Sequence, residues 1–204
     1  MISAVSLTSI AGVALAKTER GTSGPDKLVG TKRADKLIGG RGRDKLFGRR
    51  GRDKLFGGRG RDRLMGGPGA DILRGGPAKD VLKGGPTADL LIGGPGNDLI
   101  RRGDGDDELQ GGAGVNNLDG GGGDDVLFSG AQGGTMDGGP GADQFNFVDG
   151  DPEGGDGNDL IRARDGAEDE INCGPGDDTA IVDASEEGVL DCETLIEPSN
   201  GRRR

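Results

Sequence analysis

A nine-residue phrase repeats along most of this chain and constrains its architecture more than any other feature. Clear copies are GGRGRDKLF at residues 39–47, GGRGRDRLM at residues 57–65 and GGPGNDLIR at residues 93–101. The sixth place of the phrase is held by Asp26, Asp35, Asp44, Asp53, Asp62, Asp71, Asp80, Asp89, Asp98, Asp107, Asn116 and Asp125. The eighth place is held by Leu28, Leu37, Leu46, Leu55, Leu64, Leu73, Leu82, Leu91, Ile100, Leu109, Leu118 and Leu127. A fixed period over this length predicts stacked copies of one small unit.

Composition argues against an ordinary globular core. The 204 residues include 46 Gly and five Phe, with no Trp, Tyr or His. A low-complexity disordered chain is the simple alternative, but disorder does not require aliphatic residues at a strict interval. The net charge of −10 is unevenly spread: residues 17–101 carry 20 Lys and Arg against 10 Asp and Glu, and the remainder carries 6 against 26. This asymmetry is typical of an interaction surface at one end.

Each repeat predicts a tight glycine turn followed by a strand of about three residues. The eighth-place side chain points inward and its two neighbours point outward, because side chains alternate along a strand. Two repeats then form one coil, and successive coils stack as parallel strands. Residues 21–146 hold fourteen repeats, so we expect seven coils and a rod about 34 Å long at the usual strand spacing.

The phrase matches G-G-x-G-x-D-x-U-x, a pattern whose turns expose carbonyl and carboxylate oxygens. Ca²⁺ takes six to eight such oxygens. Stacking brings each sixth-place Asp beside the one two repeats later, as in Asp26/Asp44, Asp44/Asp62, Asp53/Asp71, Asp89/Asp107, Asp107/Asp125 and Asp125/Asp143. An empty ladder of carboxylates repels itself, so metal binding and folding should be coupled.

The predicted metal ligands are therefore the sixth-place carboxylates and the turn glycines. They comprise Asp26, Asp35, Asp44, Asp53, Asp62, Asp71, Asp80, Asp89, Asp98, Asp107, Asp125, Asp143, Asp159 and Asp178. The turn glycines expected to contribute backbone are Gly93, Gly94, Gly96, Gly103, Gly105, Gly121, Gly123, Gly139, Gly141, Gly155 and Gly157. The alternative for any single Asp is a turn former that bonds its own backbone.

On these motifs, residues 21–181 resemble the RTX (haemolysin-type) calcium-binding repeat family, in particular small secreted bacterial proteins made almost wholly of the repeats. The resemblance implies an all-β, right-handed parallel β-roll (a β-solenoid), several Ca²⁺ ions in the turns and an extracellular location. Larger members of the family are toxins, lipases or proteases whose activity lies in a separate domain, for which this chain has no room.

Some repeats depart from the pattern. Arg33, Ala78 and Thr87 stand at the fourth place, where glycine is expected, so the turns before Asp35, Asp80 and Asp89 are in doubt. The early repeats carry Lys or Arg beside the Asp, which should partly neutralise the carboxylates. We expect tighter, more metal-dependent sites at residues 93–143 and 154–178 than at residues 21–65.

The two ends of the chain differ from the array. Residues 1–16 are apolar and end in Ala14-Leu15-Ala16, which predicts a signal peptide cleaved after Ala16 and hence secretion, although a basic start is missing. The alternative is a first strand or cap. We assign residues 17–148 to the main array, 149–181 to a second short repeat block, and 182–204 to a cap and basic tail.

Cys173 and Cys192 are the two cysteines. In an exported protein this pair predicts a disulfide between the last repeat and the cap. A zinc site is disfavoured because the chain has no histidine to complete the ligand set.

Three functional classes follow from these features. Catalysis is disfavoured because the absence of His removes the usual activated nucleophiles. The calcium-binding reading is preferred. The alternative is binding of a polyanion, such as a cell-wall polymer, an anionic surface or nucleic acid, through the basic half. The ninth-place residues Val29, Ile38, Phe47, Phe56 and Met65 form an outward apolar stripe, which predicts either self-association through Phe47, Phe56 and Met65 or a stabilising cross-strand ladder.

Overall fold

In the computed structural model the chain is described at residues 15–130, 134–147, 151–153, 158–163, 171–182 and 189–196. Nineteen strands make up its regular structure there: β1 (Thr18–Arg20), β2 (Lys27–Val29), β3 (Lys36–Arg41), β4 (Lys45–Phe47), β5 (Lys54–Arg59), β6 (Arg63–Met65), β7 (Ile72–Arg74), β8 (Val81–Lys83), β9 (Leu90–Ile92), β10 (Leu99–Asp104), β11 (Glu108–Gln110), β12 (Asn116–Gly122), β13 (Val126–Phe128), β14 (Gly134–Asp137), β15 (Gln144–Phe147), β16 (Asp151–Glu153), β17 (Leu160–Ala163), β18 (Thr179–Val182) and β19 (Thr194–Ile196). Outside the described residues lie most of the predicted leader (1–14), Gly155, Gly157 and the tail at 197–204.

The strands form two parallel sheets that the chain visits in alternation. One sheet has eleven strands in the order β1-β3-β5-β7-β9-β11-β13-β15-β17-β18-β19, and the other has eight in the order β16-β14-β12-β10-β8-β6-β4-β2. Partners lie two repeats apart through the regular array, as Leu46 beside Leu64 and Leu55 beside Leu73 show. The chain is thus an all-β solenoid of about eight turns, as the nine-residue period predicts.

The core is a single stack of eighth-place side chains between the two sheets. Every eighth-place residue from Leu28 to Leu127 is buried, and Met136, Phe145 and Ile161 continue the stack. Each strand is too short to be stable alone, so its stability comes from burying this side chain against the coils on either side. The inward direction predicted for the eighth place is confirmed.

Outside each sheet, the ninth-place residues form the two predicted stripes. Val29, Phe47 and Met65 are register partners in the eight-stranded sheet, and Ile38 pairs with Phe56 in the other. The Lys27 ammonium lies 5.6 Å from the centroid of the Phe47 ring, and Lys36 lies at the same distance from Phe56. Lysines thus contact these rings, as expected for a stabilising cross-strand ladder.

The three residues that replace glycine at the fourth place of the repeat do not all adopt the same backbone conformation. Ala78 and Thr87 adopt the left-handed conformation, with φ of 94° and 88°, so their turns keep the shape that glycine gives elsewhere. Arg33 is absent from the positive-φ residues, and its N–H donates instead to Thr31 Oγ1 at 3.1 Å. The doubt about the Ala78 and Thr87 turns is therefore resolved in favour of a strained but intact turn.

At the C-terminal end the nine-residue spacing is no longer kept, but the eleven-stranded sheet continues through β17 and β18 to β19. Cys173 and Cys192 form a disulfide, with their Cα atoms 5.2 Å apart. The Cys173 N–H also donates to the Leu190 carbonyl at 3.1 Å. The predicted pairing is confirmed, and it joins the segment before β18 to the segment before β19.

Among the described residues, no helix has the length and apolar character needed to cross a membrane.

Candidate metal centre

Two columns of sixth-place side chains run along the roll, each just before the strands of one sheet. The long column, beside the eleven-stranded sheet, contains Asp35, Asp53, Asp71, Asp89, Asp107, Asp125, Asp143, Asp159 and Asp178. The short column, beside the eight-stranded sheet, contains Asp26, Asp44, Asp62, Asp80, Asp98 and Asn116. All of them are buried except Asp26, which is half-buried. The predicted same-edge pairs are therefore brought together.

Within each column, one carboxylate oxygen is used by the backbone. The Asp44 N–H donates to Asp62 Oδ1 at 2.8 Å, and the Asp53 N–H donates to Asp71 Oδ1 at 2.7 Å. The same bond recurs from coil to coil, and it persists where the spacing changes, from Asp143 to Asp159 and from Asp159 to Asp178. Oδ1 thus links successive coils and leaves Oδ2 for another role.

The second carboxylate oxygen has no hydrogen-bond partner within the described residues. This holds for the buried Oδ2 atoms of Asp44, Asp53, Asp62, Asp71, Asp80, Asp89, Asp98, Asp107, Asp125, Asp143, Asp159 and Asp178. A buried carboxylate oxygen without a donor is costly unless a cation or a proton compensates it. A dozen of them in register is a systematic feature of the fold.

First-place glycines leave room beside these oxygens. A Cβ built on Gly57 would lie 2.5 Å from Asp62 Oδ2 and 2.6 Å from the Gly75 carbonyl oxygen, and a Cβ on Gly39 would lie 2.5 Å from both Asp44 Oδ2 and the Gly57 carbonyl oxygen. A side chain at the first place would therefore point at the carboxylate and at the carbonyl of the next coil. Glycine keeps this space free.

Asn116 shows which backbone groups surround the second side-chain atom at one level of the short column. Its Oδ1 accepts the Asp98 N–H, as an aspartate would. Its Nδ2 donates to the carbonyls of Gly112 at 3.1 Å, Gly114 at 3.0 Å and Ser129 at 3.2 Å. These carbonyls belong to the second and fourth places of the same repeat and to the first place of the repeat one coil later. At this level, therefore, one NH₂ group donates hydrogen bonds to three carbonyl oxygens.

At several aspartate levels the first-place carbonyl of the next coil faces the same space as Oδ2, as the Gly75 carbonyl does beside Asp62. The donor set is one carboxylate oxygen and several backbone carbonyls, the hard oxygen ligands that Ca²⁺ prefers. The described residues contain no group of three or more His, Cys, Asp or Glu side chains able to hold a metal. An ion at these levels would therefore take most of its ligands from the backbone, and the residues present fit calcium on that basis.

The first two repeats differ from the rest. The Thr22 N–H donates to Asp26 Oδ2 at 2.6 Å, and the Thr22 hydroxyl donates to the same oxygen at 3.1 Å. Thr31 bonds Asp35 Oδ2 in the same way through its N–H and its hydroxyl. These two carboxylates are satisfied by threonine at the second place of the repeat, so they lack the feature that marks a cation level.

Burial raises the pKa of most column carboxyls. The pKa is raised to about 6 for Asp62, to about 7 for Asp71 and to about 8 for Asp80. Desolvation is the largest cause, the hydrogen bond from the preceding Asp N–H lowers the pKa, and carboxylates on adjacent coils raise it further. Without a cation, then, the columns hold protons more tightly than free carboxyls do.

The charges beside the long column change sign along the roll. An open groove follows this column, and it is flanked at one level by Arg52 and Lys54 and at a later level by Asp106 and Glu108. The basic pair lies beside Asp53, whereas the acidic pair lies beside Asp107 and adds negative charge at that level. This is the gradient from which tighter C-terminal sites are predicted.

Two features of the columns escape sequence reasoning. Glu193 extends the long column by one level, because its Oε2 accepts the Asp178 N–H at 2.8 Å, but it lies 15 residues beyond Asp178 and so out of step. Arg102 replaces the first-place glycine of its repeat and is buried. A scan for residues other than glycine at that place would have found Arg102.

Comparison with known proteins agrees with this geometry. The family model described as "RTX calcium-binding nonapeptide repeat (4 copies)" matches residues 20–55, 47–82, 65–100, 74–109 and 101–136, which together span more than half of the chain. No curated protein matches the chain in sequence. With its repeats, its solenoid and its aspartate columns, the chain belongs to the RTX calcium-binding nonapeptide repeat family.

Proposed function

We propose that this protein is a secreted, non-catalytic calcium-binding roll whose turns close around Ca²⁺ as the chain folds. Family membership implies calcium binding. The observation that carries the fuller proposal is the series of buried Oδ2 atoms without a donor. At several levels, such as Asp44, Asp53 and Asp62, a first-place carbonyl of the next coil faces the same space. Calcium would supply the missing positive charge at these levels.

The proposed ligands follow from the same observation. The strongest candidates are the column aspartates from Asp44 to Asp178 that carry an unpartnered Oδ2, together with the turn carbonyls beside them. Asp107 ranks below the others, because the buried Arg102 guanidinium already lies 2.9 Å from its Oδ1. Asp26 and Asp35 are the weakest candidates, because Thr22 and Thr31 already satisfy their second oxygens. Gly155 and Gly157 remain predicted backbone ligands.

Coupling to folding follows from electrostatics. A metal-free column places buried carboxylates on successive coils, so closing the roll without a cation requires either charge repulsion or protonation. Calcium removes both costs, and its binding free energy then stabilises the fold. The disulfide and the apolar leader support export into an oxidising, calcium-containing medium.

A calcium titration of the full chain tests the proposal. Far-ultraviolet circular dichroism should show a transition from coil to β structure at roughly 10⁻⁴–10⁻³ M Ca²⁺, the range of extracellular modules, with Mg²⁺ as the control ion. A β signal that is already complete in chelator and does not respond to Ca²⁺ would overturn the proposal.

Matched variants locate the sites. Asp71→Asn should fold in saturating calcium, because Asn116 shows that the column accepts an amide, but equilibrium dialysis should detect fewer bound ions per chain. Asp119→Asn is the control, since the Asp119 side chain is 53% exposed and lies on the outer face. Equal loss in both variants would refute the assignment of Asp71 as a ligand.

A second candidate function is polyanion binding by two basic ladders. Lys27, Lys45 and Arg63 are register partners on one outer face, and Lys36 pairs with Lys54 on the other. All five are exposed. Like charges directly opposed destabilise a sheet, so such ladders are favoured by a partner that neutralises them.

Heparin affinity in saturating calcium tests this second candidate. The triple variant Lys27→Gln, Lys45→Gln and Arg63→Gln should elute at lower salt than the wild type. The control is Lys32→Gln, Arg74→Gln and Lys79→Gln, which removes three exposed basic residues that are not register partners of one another. Identical elution of both variants would leave net charge alone as the cause. Self-association through Phe47, Phe56 and Met65 remains a prediction.

A further inference from the structure

Arg102 stands where the repeat requires a first-place glycine. Its side chain is fully buried, with 0% of its surface exposed. At other levels a Cβ at this place would point at the column carboxylate and at the next coil's carbonyl, as at Gly57. The Arg102 side chain therefore enters the space that the other repeats leave free beside the long column.

The guanidinium is paired with one level of that column and is attracted by the two adjacent levels. Its Nη1 is 2.9 Å from Asp107 Oδ1, and the Asp107 side chain is also fully buried. Asp125 and Asp89, on the two adjacent coils, attract it as well. Within the described residues none of its three nitrogens has a directional hydrogen bond, so the contact with Asp107 is an ion pair held by charge and proximity.

Asn116 stands on the opposite edge of the same coil. Residues 102–119 make up two consecutive repeats, and Asn116 closes the second with an amide that donates to three carbonyls. Both edges of this one coil thus hold a cationic or donor group of the protein itself. The Asn116 amide takes the place of an unpartnered oxygen, and the Arg102 guanidinium brings a positive charge to Asp107, whose Oδ2 has no hydrogen-bond partner within the described residues.

We propose that the coil at residues 102–119 is a calcium-independent rung, in which the Arg102 guanidinium replaces one ion in the long column and the Asn116 amide replaces one in the short column. This inference rests on the proposed calcium-binding function. It adds that calcium sites are absent at two defined positions in the middle of the roll. It also implies that this coil keeps its charge balance in metal-free protein, so that the flanking coils can fold onto it.

The first experiment counts ions in the full chain by equilibrium dialysis with ⁴⁵Ca²⁺. Arg102→Gly restores the glycine of the repeat and should bind one more ion per chain than the wild type, as should Asn116→Asp. Arg101→Gly is the matched control, because Arg101 is the neighbouring arginine and its side chain is exposed. Its one ion pair is loose, with Nε 3.8 Å from Oδ2 of the exposed Asp119. Unchanged stoichiometry in both Arg102→Gly and Asn116→Asp would overturn the proposal.

The second experiment measures hydrogen exchange in metal-free buffer. Wild-type amides at residues 102–119 should exchange more slowly than those of the equivalent coil at residues 48–65, three coils earlier. Arg102→Gln, which keeps length but removes charge, should speed exchange at residues 102–119 by roughly 100-fold, because it leaves a buried carboxylate unpaired. It should bind no additional ion, since the space remains filled.

The two experiments separate the possible failures. If the wild type takes up no calcium, the proposed function fails, and exchange alone then decides whether Arg102 stabilises its coil. If the wild type binds calcium but Arg102→Gln exchanges like the wild type at residues 102–119, Arg102 is not a substitute for the ion and the inference falls.

Discussion

At the scale of single residues, the hydrogen bonding inside each column depends on the second terminal atom of the sixth-place side chain, which is Oδ2 in Asp and Nδ2 in Asn. In Asp98 this atom is an oxygen without a donor, whereas in Asn116, one coil later, it is an NH₂ group with three acceptors. Thr31 achieves a similar result from a different place by donating to Asp35. These cases share one rule: each buried oxygen is matched by a donor of the protein or left for a cation.

Thr87 offers a test of strain at this scale. Its φ of 88° places a β-branched residue in the left-handed region, which glycine adopts at little cost. We expect Thr87→Gly to stabilise the calcium-saturated protein by about 1 kcal/mol. The measurement is the midpoint of urea unfolding in excess calcium.

Ala113→Gly is the control for this prediction. Ala113 is exposed and precedes a fourth-place glycine, but it is not among the positive-φ residues. Glycine there adds backbone freedom without relieving strain, so it should lower the midpoint slightly. A lower midpoint in Thr87→Gly as well would show that the turn is not strained.

At the scale of elements, three-residue strands are stable only as members of a ladder. Each contributes one buried side chain and pairs with strands two repeats away, so the period of the sequence sets the register directly. Where the spacing between repeats is no longer 18 residues, the hydrogen bonds along the long column still form. The Asp143-to-Asp159 and Asp159-to-Asp178 bonds span 16 and 19 residues, and Glu193 completes the column with a longer side chain.

The disulfide should hold β19 onto this irregular end. Replacing both cysteines, Cys173→Ala with Cys192→Ala, removes the constraint on a loop of about 20 residues and should cost about 3 kcal/mol of stability. The loss should be local, because β19 pairs on one side with β18 alone. Hydrogen exchange should therefore quicken at residues 171–182 and 189–196 while β3, β5 and β7 are unchanged.

Reduction of the wild type provides the control for the disulfide. Exchange in a phosphine reductant should reproduce the pattern of the double variant, since Cys173 is buried and its replacement alone could disturb packing. If the C-terminal strands exchange equally fast in oxidised and reduced protein, the disulfide does not stabilise them.

At the scale of the whole molecule, buried carboxyls form two parallel columns along the roll, a long one from Asp35 to Asp178 and a short one from Asp44 to Asp98. Burial raises the pKa to about 7 for Asp125 and Asp143, and to about 6 for Asp89 and Asp159. The metal-free folded state therefore binds more protons than the unfolded chain, whose aspartates titrate near pH 3.9. Protons and calcium are alternative ways of neutralising the same columns.

This linkage predicts an inverse pH dependence with and without metal. A group whose pKa is raised by folding contributes stability that is fully present below the unfolded pKa and is lost as pH rises through the folded pKa. For these carboxyls the loss falls between about pH 4 and pH 8. Metal-free protein should thus show more β structure at pH 5.5 than at pH 8, as measured by circular dichroism in chelator-treated buffer.

Calcium should reverse the trend. At pH 5.5 protons compete for the carboxylates, so a higher calcium concentration should be needed for half-maximal folding than at pH 8. Both conditions stay above the isoelectric point of about 4.6, where low net charge would promote precipitation. Metal-free β structure that increases from pH 5.5 to pH 8 would contradict the assignment of the raised pKa values.

The sequence by itself determined the solenoid, the inward aliphatic stack, the two aspartate columns and the Cys173–Cys192 pairing. It could do so because equal repeat lengths and strand alternation decide which residues stack, whatever the details of each turn. Only the tertiary structure decided which oxygens lack a donor, that Thr22 and Thr31 satisfy the first two carboxylates, that Glu193 extends the long column, and that Arg102 lies buried against Asp107. The physical reason is that a hydrogen bond requires a donor and an acceptor within about 3 Å in the right direction, and this depends on the three-dimensional position of individual side chains, which the repeat period does not specify.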